Sequence, residues 1–421
     1  MRRGLGDLAE DLRVHKDRGA ELTAQGKPEM ALAEYLAALG LSASDILSRQ
    51  RAAELLVRLG RPRDAIEHYL CLAGKYAVDG RLLKAIATCH QILQLDPSHA
   101  ATLATLTDLY AERDTPRGPV RIPSDMAPAI KSSPSQPAPH IDRATLARIP
   151  LFSDLARVPF ETLLRKFVRM VVKPGSVILE EGAYGDAMFA VATGSVRVER
   201  WTPDAPPRVI AEMGEGEFFG EMSLLARCPR FATVVAANEC ELLRLDRADL
   251  DAIVQEHPAV GEVLERFYKE RLVANVARAS SVFRGLPTRG QRALVDLFRL
   301  DVYPAGAMLL EQGAPGGTGL YFLLRGRCDV FNRGEDGTEE PYPSLGEGDL
   351  FGEVSLLQGG PVTACVRTSA QSVVLTLHRE WADALVLSHP TVRDEIYDLA
   401  SRRLQRTQVL LAKDLLDQHL V

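Results

Sequence analysis

One phrase occurs twice in this chain. Gly216-Glu-Phe-Phe-Gly220-Glu221-Met222-Ser223-Leu-Leu, closing on Pro229-Arg230, returns with an offset of 132 as Gly348-Asp-Leu-Phe-Gly352-Glu353-Val-Ser355-Leu-Leu, closing on Pro361-Val362. The glycine punctuation around it returns too: Gly175 pairs with Gly306, Gly182 with Gly313, Gly194 with Gly326, and His257-Pro258 with His389-Pro390. A fold that explains one half must explain the other, so the second part of the chain is two tandem copies of one domain. Within each copy the period is two. Ser195-Val-Arg-Val-Glu-Arg alternates inside and outside, and turns such as Lys173-Pro-Gly175 and Thr193-Gly194 separate short runs. Many short strands at regular spacing predict a jelly roll or barrel.

The first hundred residues follow a different rule. From about Asp7 to Arg113 apolar residues recur at helical spacing and are interrupted by Gly or Pro. Gly26-Lys-Pro-Glu-Met-Ala31-Leu-Ala-Glu-Tyr35 is echoed by Gly60-Arg-Pro-Arg-Asp-Ala65-Ile-Glu-His-Tyr69, and a shorter third phrase begins at Gly80 and closes on Leu95-Asp-Pro97, with Tyr110 placed for the next helix. Small alanines let helices approach while tyrosines fill the grooves between them. The segment resembles tetratricopeptide repeats with an irregular third unit. Between it and the duplicated part, Pro116, Pro119, Pro123, Pro128, Pro134, Pro137 and Pro139 stand among Ser, Gly and charges. Such a stretch sustains neither helix nor ladder and reaches roughly 80 Å if extended.

The organisation expected is therefore multidomain: an all-α helical-repeat domain over 1–113, a Pro/Ser-rich linker over 114–142, and two mainly-β jelly-roll barrels with flanking helices over 143–278 and 279–421. Each barrel ends in an amphipathic helix, Ala259 to about Arg278 and Thr391 to about His419. The second can also zip onto another copy through Ile396, Leu399, Leu404, Leu411 and Leu415, which makes a homodimer one reading.

Composition narrows the function. A net charge of -6 over 421 residues supplies no basic face for nucleic acid. No apolar run is long enough to span a bilayer, no secretory signal follows Met1-Arg2-Arg3, and the six cysteines are dispersed, which fits a cytoplasmic protein with reduced thiols. No histidine falls at metal-ligand spacing, and no Gly-x-Ser-x-Gly elbow, Walker loop or His-Glu-x-x-His helix is present, so a metal and an enzymatic role are not expected.

The repeated phrase carries the chemistry. Gly220 and Gly352 allow close approach of backbone to a ligand, or serve only a sharp corner of the barrel. The apolar run after each can form one helical turn. Glu221, ionised, accepts hydrogen bonds and suits a sugar hydroxyl, or serves to cap the helix or form a salt bridge, since Glu353 stands in the second copy without an arginine. Nine residues on, Arg230 offers a fixed cationic fork to a phosphate oxygen. On these residues both halves resemble cyclic nucleotide-binding domains, and the phrase resembles that family's phosphate-binding cassette. The resemblance implies that Glu221 takes a ribose hydroxyl, Arg230 an exocyclic phosphate oxygen, and the amides around Met222 and Ser223 the rest of the phosphate of cAMP or a relative. It also implies a capping helix on which Phe267 or Tyr268 stacks on the base, although an apolar core role for both fits the helix equally.

Two departures qualify the resemblance. Phe231 stands where the family has a small residue, and its ring either stacks on the base or fills the site. In the second copy Val362 replaces the arginine, while Gly352, Glu353, Ser355 and Thr363 remain. Losing one partner of a buried charge pair costs about 2 to 5 kcal/mol, roughly thirtyfold to several thousandfold in affinity. The second pocket is then vestigial and empty, or selects a less charged ligand. Three functional readings follow: a cAMP-type sensor that meets a partner protein through its helical repeats, a scaffold with decayed pockets, and a relative of the regulatory subunit of cAMP-dependent protein kinase. For the last, the inhibitory Arg-Arg-x-Ser segment is approached only by Arg121-Ile-Pro-Ser124.

Overall fold

Glycines in the left-handed region end the first helices and prolines start the next. The phrase at Gly26 and at Gly60 builds the same element twice. Gly26 (φ 71°) and Gly60 (φ 70°) turn the chain, and Pro28 and Pro62 open α2 and α4 at a position where no N–H is needed. In the computed structural model, which describes residues 5–99, 102, 155–202, 205–279, 297–315, 319–334, 336–388, 390, 392–403 and 405, these helices are α1 (Leu5–Ala24), α2 (Pro28–Leu41), α3 (Ile46–Arg58), α4 (Pro62–Val78) and α5 (Leu82–Leu95). The Pro/Ser-rich segment 114–142 and Tyr110 lie outside the described residues. The chain divides into two compact units, Met1–Leu224 with Ala232–Val263, and Leu225–Phe231 with Leu264–Val421.

In the first unit each helix packs on its chain neighbour. Ala31, Ala38, Ala52, Ala53 and Ala65 are wholly buried, and Tyr35 and Tyr69 fill the spaces between helices. Gly19 makes room for Tyr35, since a β-carbon there would sit 2.9 Å from its Cζ. Asp45 caps α3 by accepting from the Ser48 N–H at 2.9 Å. The last helix, α5, packs on α4 and also on β1, β3 and β8 of the first barrel. That double duty explains why Leu82, Leu83, Ile86 and Ile92 are buried together with Thr88 and His90. Burial of the four aliphatic chains contributes on the order of 6–12 kcal/mol before entropy. His90 Nε2 donates to Leu164 O at 2.9 Å, tying α5 to α6 (Arg157–Lys166).

The first barrel contains β1 (Val168–Val172), β2 (Val177–Leu179), β3 (Ala187–Thr193), β4 (Val196–Thr202), β5 (Ala205–Met213), β6 (Phe218–Phe219), β7 (Thr233–Ala236) and β8 (Cys240–Asp246). They form two antiparallel four-stranded sheets, β1-β8-β3-β6 and β2-β7-β4-β5. Phe189, Val191, Val196, Phe219, Val234 and Leu242 close the core between them. Strand β3 is apolar from Ala187 to Ala192 because its core face and the face toward α5 are both covered. Helices α7 (Glu221–Ala226), α8 (Arg247–Glu256) and α9 (Pro258–Ala279) complete this part of the chain, α9 running on into the second unit.

The second unit repeats the plan in β9 (Phe298–Tyr303), β10 (Met308–Leu310), β11 (Gly319–Arg325), β12 (Cys328–Arg333), β13 (Glu339–Leu345), β14 (Leu350–Phe351), β15 (Cys365–Thr368) and β16 (Ser372–His378). Its sheets run β14-β11-β16-β9 and β10-β15-β12-β13, the first barrel's order strand for strand. Helices α10 (Glu353–Gln358), α11 (Arg379–Ser388) and α12, over residues 392–403, follow. Ile396 is wholly buried within the chain, so it does not offer the zipper face considered above; Leu404, Leu411 and Leu415 lie outside the described residues. The six cysteines are all buried free thiols.

Candidate functional site: the two cassettes

The repeated phrase folds the same way in both barrels. A two-residue strand, β6 or β14, carries a phenylalanine that stacks on an aromatic of the neighbouring strand: Phe219 on Phe189 with centroids 5.3 Å apart, and Phe351 on Tyr321 at 5.1 Å. The chain then turns at Gly220 (φ 81°) or Gly352 (φ 85°) into a six-residue helix. At Gly352 the glycine is needed for the corner itself, because a β-carbon would lie 2.7 Å from Gly319 O and 2.9 Å from Tyr321 Cδ2. A serine two residues into each helix returns its hydroxyl to the glycine carbonyl, Ser223 at 3.4 Å and Ser355 at 3.2 Å.

In the first cassette Gly220, Glu221, Met222 and Ser223 belong to the first unit, and Arg230 and Phe231 to the second. Glu221 is 6 % exposed and Arg230 4 %. Arg247 steadies α7 from outside, donating to Ser223 O at 3.4 Å while it pairs with Asp186 at 3.2 Å. Phe231 is half-buried, and within the second unit its ring lies 5.9 Å from the Arg325 guanidinium, a neighbour that neither sequence reading of this residue anticipated. Of the two aromatics on α9, Phe267 is buried with Arg271 5.5 Å from its ring centre, and Tyr268 is half-buried with its phenol pKa pushed up by burial.

The second cassette lines a cavity of about 360 Å³. Leu310, Val330, Leu345, Phe351 and Val366 make its apolar wall, and Glu353, Ser355, Val362 and Thr363 line the cassette side. Val362, 6 % exposed, is pinned by two backbone bonds, its N–H to Ala314 O at 3.1 Å and its carbonyl from the Gly313 N–H at 2.9 Å. Glu353 is 2 % exposed and accepts from Arg403 Nη1 at 2.8 Å; the same nitrogen donates to Leu350 O. Leu399, Arg402 and Arg403 of α12 line the cavity, so Leu399 also faces inward. Sequence reasoning missed Arg403. Its signal was present, since Arg271 and Arg403 share the offset of 132 that relates Glu221 to Glu353.

Among the described residues no cluster of His, Cys, Asp or Glu could hold a metal ion, and no helix is long and apolar enough to cross a membrane. Residues 169–257 and 300–389 match the family described as the cyclic nucleotide-binding domain. The chain is 29 % identical over 221 residues to a cAMP-dependent protein kinase regulatory subunit of Neurospora crassa, covering 49 % of this chain and 54 % of that protein. Over 126 residues it is 37 % identical to a cyclic nucleotide-gated potassium channel of Rhizobium etli, covering 30 % of this chain and 34 % of that one. It spans about half the length of the kinase regulatory subunits it matches. The regulatory domain of Toxoplasma gondii PKA, solved with cAMP, aligns at 24 % identity over 60 % of this chain and 92 % of that one, with a TM-score of 0.31. Strand order, repeated cassette and family match lead to one statement: the chain carries tandem cyclic nucleotide-binding domains that resemble those of the regulatory subunits of cAMP-dependent protein kinase.

Proposed function

We propose that the protein is a cAMP-type sensor and regulator in which the first barrel binds the cyclic nucleotide. Glu221 accepts from the ribose 2′-hydroxyl, and Arg230 presents its guanidinium to an exocyclic phosphate oxygen. The observation that carries this reading is the burial of two opposite formal charges nine residues apart inside a family-matched segment. Burying an acid and a base is costly unless each is held by fixed partners, and both keep interactions within the chain. Helix α9, with Phe267 and Tyr268, supplies the cap over the base.

The regulated partner is a protein met by the helical repeats. Supporting this, α2 and α3 keep Met30, Leu36, Leu47 and Val57 in solvent at 54, 42, 47 and 37 % exposure, apolar side chains available to a partner. The relatives named as kinase regulatory subunits make an enzyme a reasonable class of partner, although Arg121-Ile-Pro-Ser124 departs from their inhibitory segment. The scaffold reading is favoured by Phe231, whose ring is engaged with Arg325.

Calorimetric titration of the full chain with cAMP and with cGMP, on wild type and Arg230→Glu, tests the first site. One equivalent bound by wild type and lost in the variant supports the reading. Binding that survives charge reversal, or no binding by wild type, overturns it.

A further inference from the structure

The helical layer meets the first barrel across a seam, and the seam holds a cavity of its own. It lies within the first unit, between α3, α4 and α5 on one side and β1 and β8 on the other, with a volume of about 110 Å³. A water takes up about 30 Å³ in the liquid, so the space suits roughly three or four waters or one organic molecule of a few heavy atoms. None of the cassette residues lines it.

The charges around this cavity are unevenly matched. Glu54 is held by Arg51 at 2.8 Å, Glu241 by Arg169, and Glu215, whose charge also reaches Lys84, by Arg81. Glu239 lines the cavity but is exposed. Lys84 is the cation left over. Its Nζ stands 4.9 Å from the centre of the Tyr76 ring and has neither a hydrogen bond nor an ion pair among the described residues. Burial lowers its pKa below the ordinary lysine value and Arg81 lowers it further, against the opposing pull of Glu215 and Glu241. An anion beside it relieves both effects.

Hydrogen-bond donors without acceptors stand around the same space. Tyr69 is 4 % exposed and Tyr76 1 %, and burial pushes both phenols up to about 12, so each stays protonated and able to donate. The Tyr76 hydroxyl is buried with no partner, and neither the Tyr69 hydroxyl nor the Gln91 amide bonds to a described residue. Orphaned donors beside an uncompensated ammonium describe a site for an oxyanion. Two neighbours narrow its class. The carboxylates of Glu54 and Glu241 repel a second negative charge, and Leu72 and Val171 add carbon to the wall. A singly charged head on a short apolar tail meets both conditions.

We propose that this seam binds a small monocarboxylate of about two to four carbons, its oxygens on Lys84 Nζ and the Tyr69 hydroxyl and its carbons against Leu72 and Val171. The ligand touches α4, α5 and β1 together, and so ties the helical layer to the sheet. This does not depend on what either barrel binds.

The experiment is saturation-transfer NMR on the alkyl protons of acetate, propionate and butyrate, titrated into the full chain at constant ionic strength with chloride as the balancing anion. At least one of the three receives saturation from the wild type, and sulfate, a fixed dianion, displaces it no better than chloride does. Lys84→Met and Tyr69→Phe each weaken its affinity at least tenfold with unchanged circular dichroism. Should Lys84→Met fail to fold, Tyr69→Phe, which removes a single oxygen, carries the test. A wild type that transfers saturation to none of the three overturns the proposal and leaves the cavity to ordered water. So does an affinity indifferent to Tyr69→Phe, or displacement by sulfate at lower concentration than by chloride.

Discussion

Glu353 and Arg403 lie fifty residues apart and are joined by a 2.8 Å charge-assisted hydrogen bond, with the carboxylate 2 % and the guanidinium side chain 27 % exposed. The asymmetry sets the expected cost of breaking it. Arg403→Leu strands a buried carboxylate, and because the cation was partly in water the loss falls at the low end for a buried pair, about 2–3 kcal/mol. Urea unfolding of the full chain will show the second unit's transition at a lower midpoint with an unchanged slope. Combining the substitution with Glu353→Gln will cost less than the sum of the two single changes, by at least about 0.5 kcal/mol.

The role proposed for Arg230 requires geometry as well as charge. Arg230→Lys keeps a cation and loses the planar fork, so the cAMP affinity of the first barrel should fall roughly tenfold to a hundredfold rather than vanish. Calorimetry distinguishes this from Arg230→Glu, for which no heat of binding is expected. Equal affinity in Arg230→Lys and wild type would show that the fork is not used.

Acid should loosen the first unit. Burial holds the His90 imidazole pKa below its ordinary value and Arg169 lowers it further, while the bond to Leu164 O opposes both. Burial and Arg49 lower His68 in the same way. The unfolded chain binds protons at these positions near pH 6.5, and the folded chain does so only at lower pH. Stability is therefore complete above about pH 6.5 and is lost as pH falls through that value toward the depressed folded pKa values. The thermal midpoint of the first unit should decline between pH 7 and 5.5, and His90→Gln should flatten that decline. An unchanged slope in the variant would remove His90 from the explanation.

Glycine substitutions should sort by what a β-carbon meets. At Gly194 (φ +90°) it would lie 2.6 Å from both Asn238 Oδ1 and Glu239 O, and at Gly326 (φ +100°) 2.7 Å from Gln371 O and 2.8 Å from Ser372 Cα. Backbone strain of about 1–2 kcal/mol plus crowding of about 1–3 kcal/mol makes either alanine variant cost about 2–5 kcal/mol. Gly26 has a similar φ of +71° with nothing within 4 Å, so Gly26→Ala should cost only the first part. Chemical denaturation of the three variants gives the comparison.

Local chemistry was legible in the chain, and distant pairing was not. Gly26, Gly60, Gly194, Gly220, Gly326 and Gly352 all turn with positive φ where the sequence placed turns, and the 132-residue offset gave two barrels of identical strand order. These features are written in contiguous residues. Arg403 finds Glu353 across fifty positions, which no window along the chain contains. The same holds for Phe231, whose partner Arg325 comes from β11. For α5, the sequence Leu82-Leu83-Lys-Ala-Ile-Ala-Thr-Cys-His90-Gln-Ile-Leu is apolar on more than one face, which signals packing on two sides without saying what the second side is. Ile396 and Leu399 have zipper spacing because they pack inward on their own barrel.

The seat of α5 on β1, β3 and β8 has a mechanical consequence. Those strands share a sheet with β6, whose Phe219 immediately precedes Gly220 and the buried Glu221. Helical layer, sheet and cassette entrance therefore belong to one compact unit. The partner proposed for Leu36, Leu47 and Val57 of α2 and α3 would therefore bear on the same packed unit as the glycine corner.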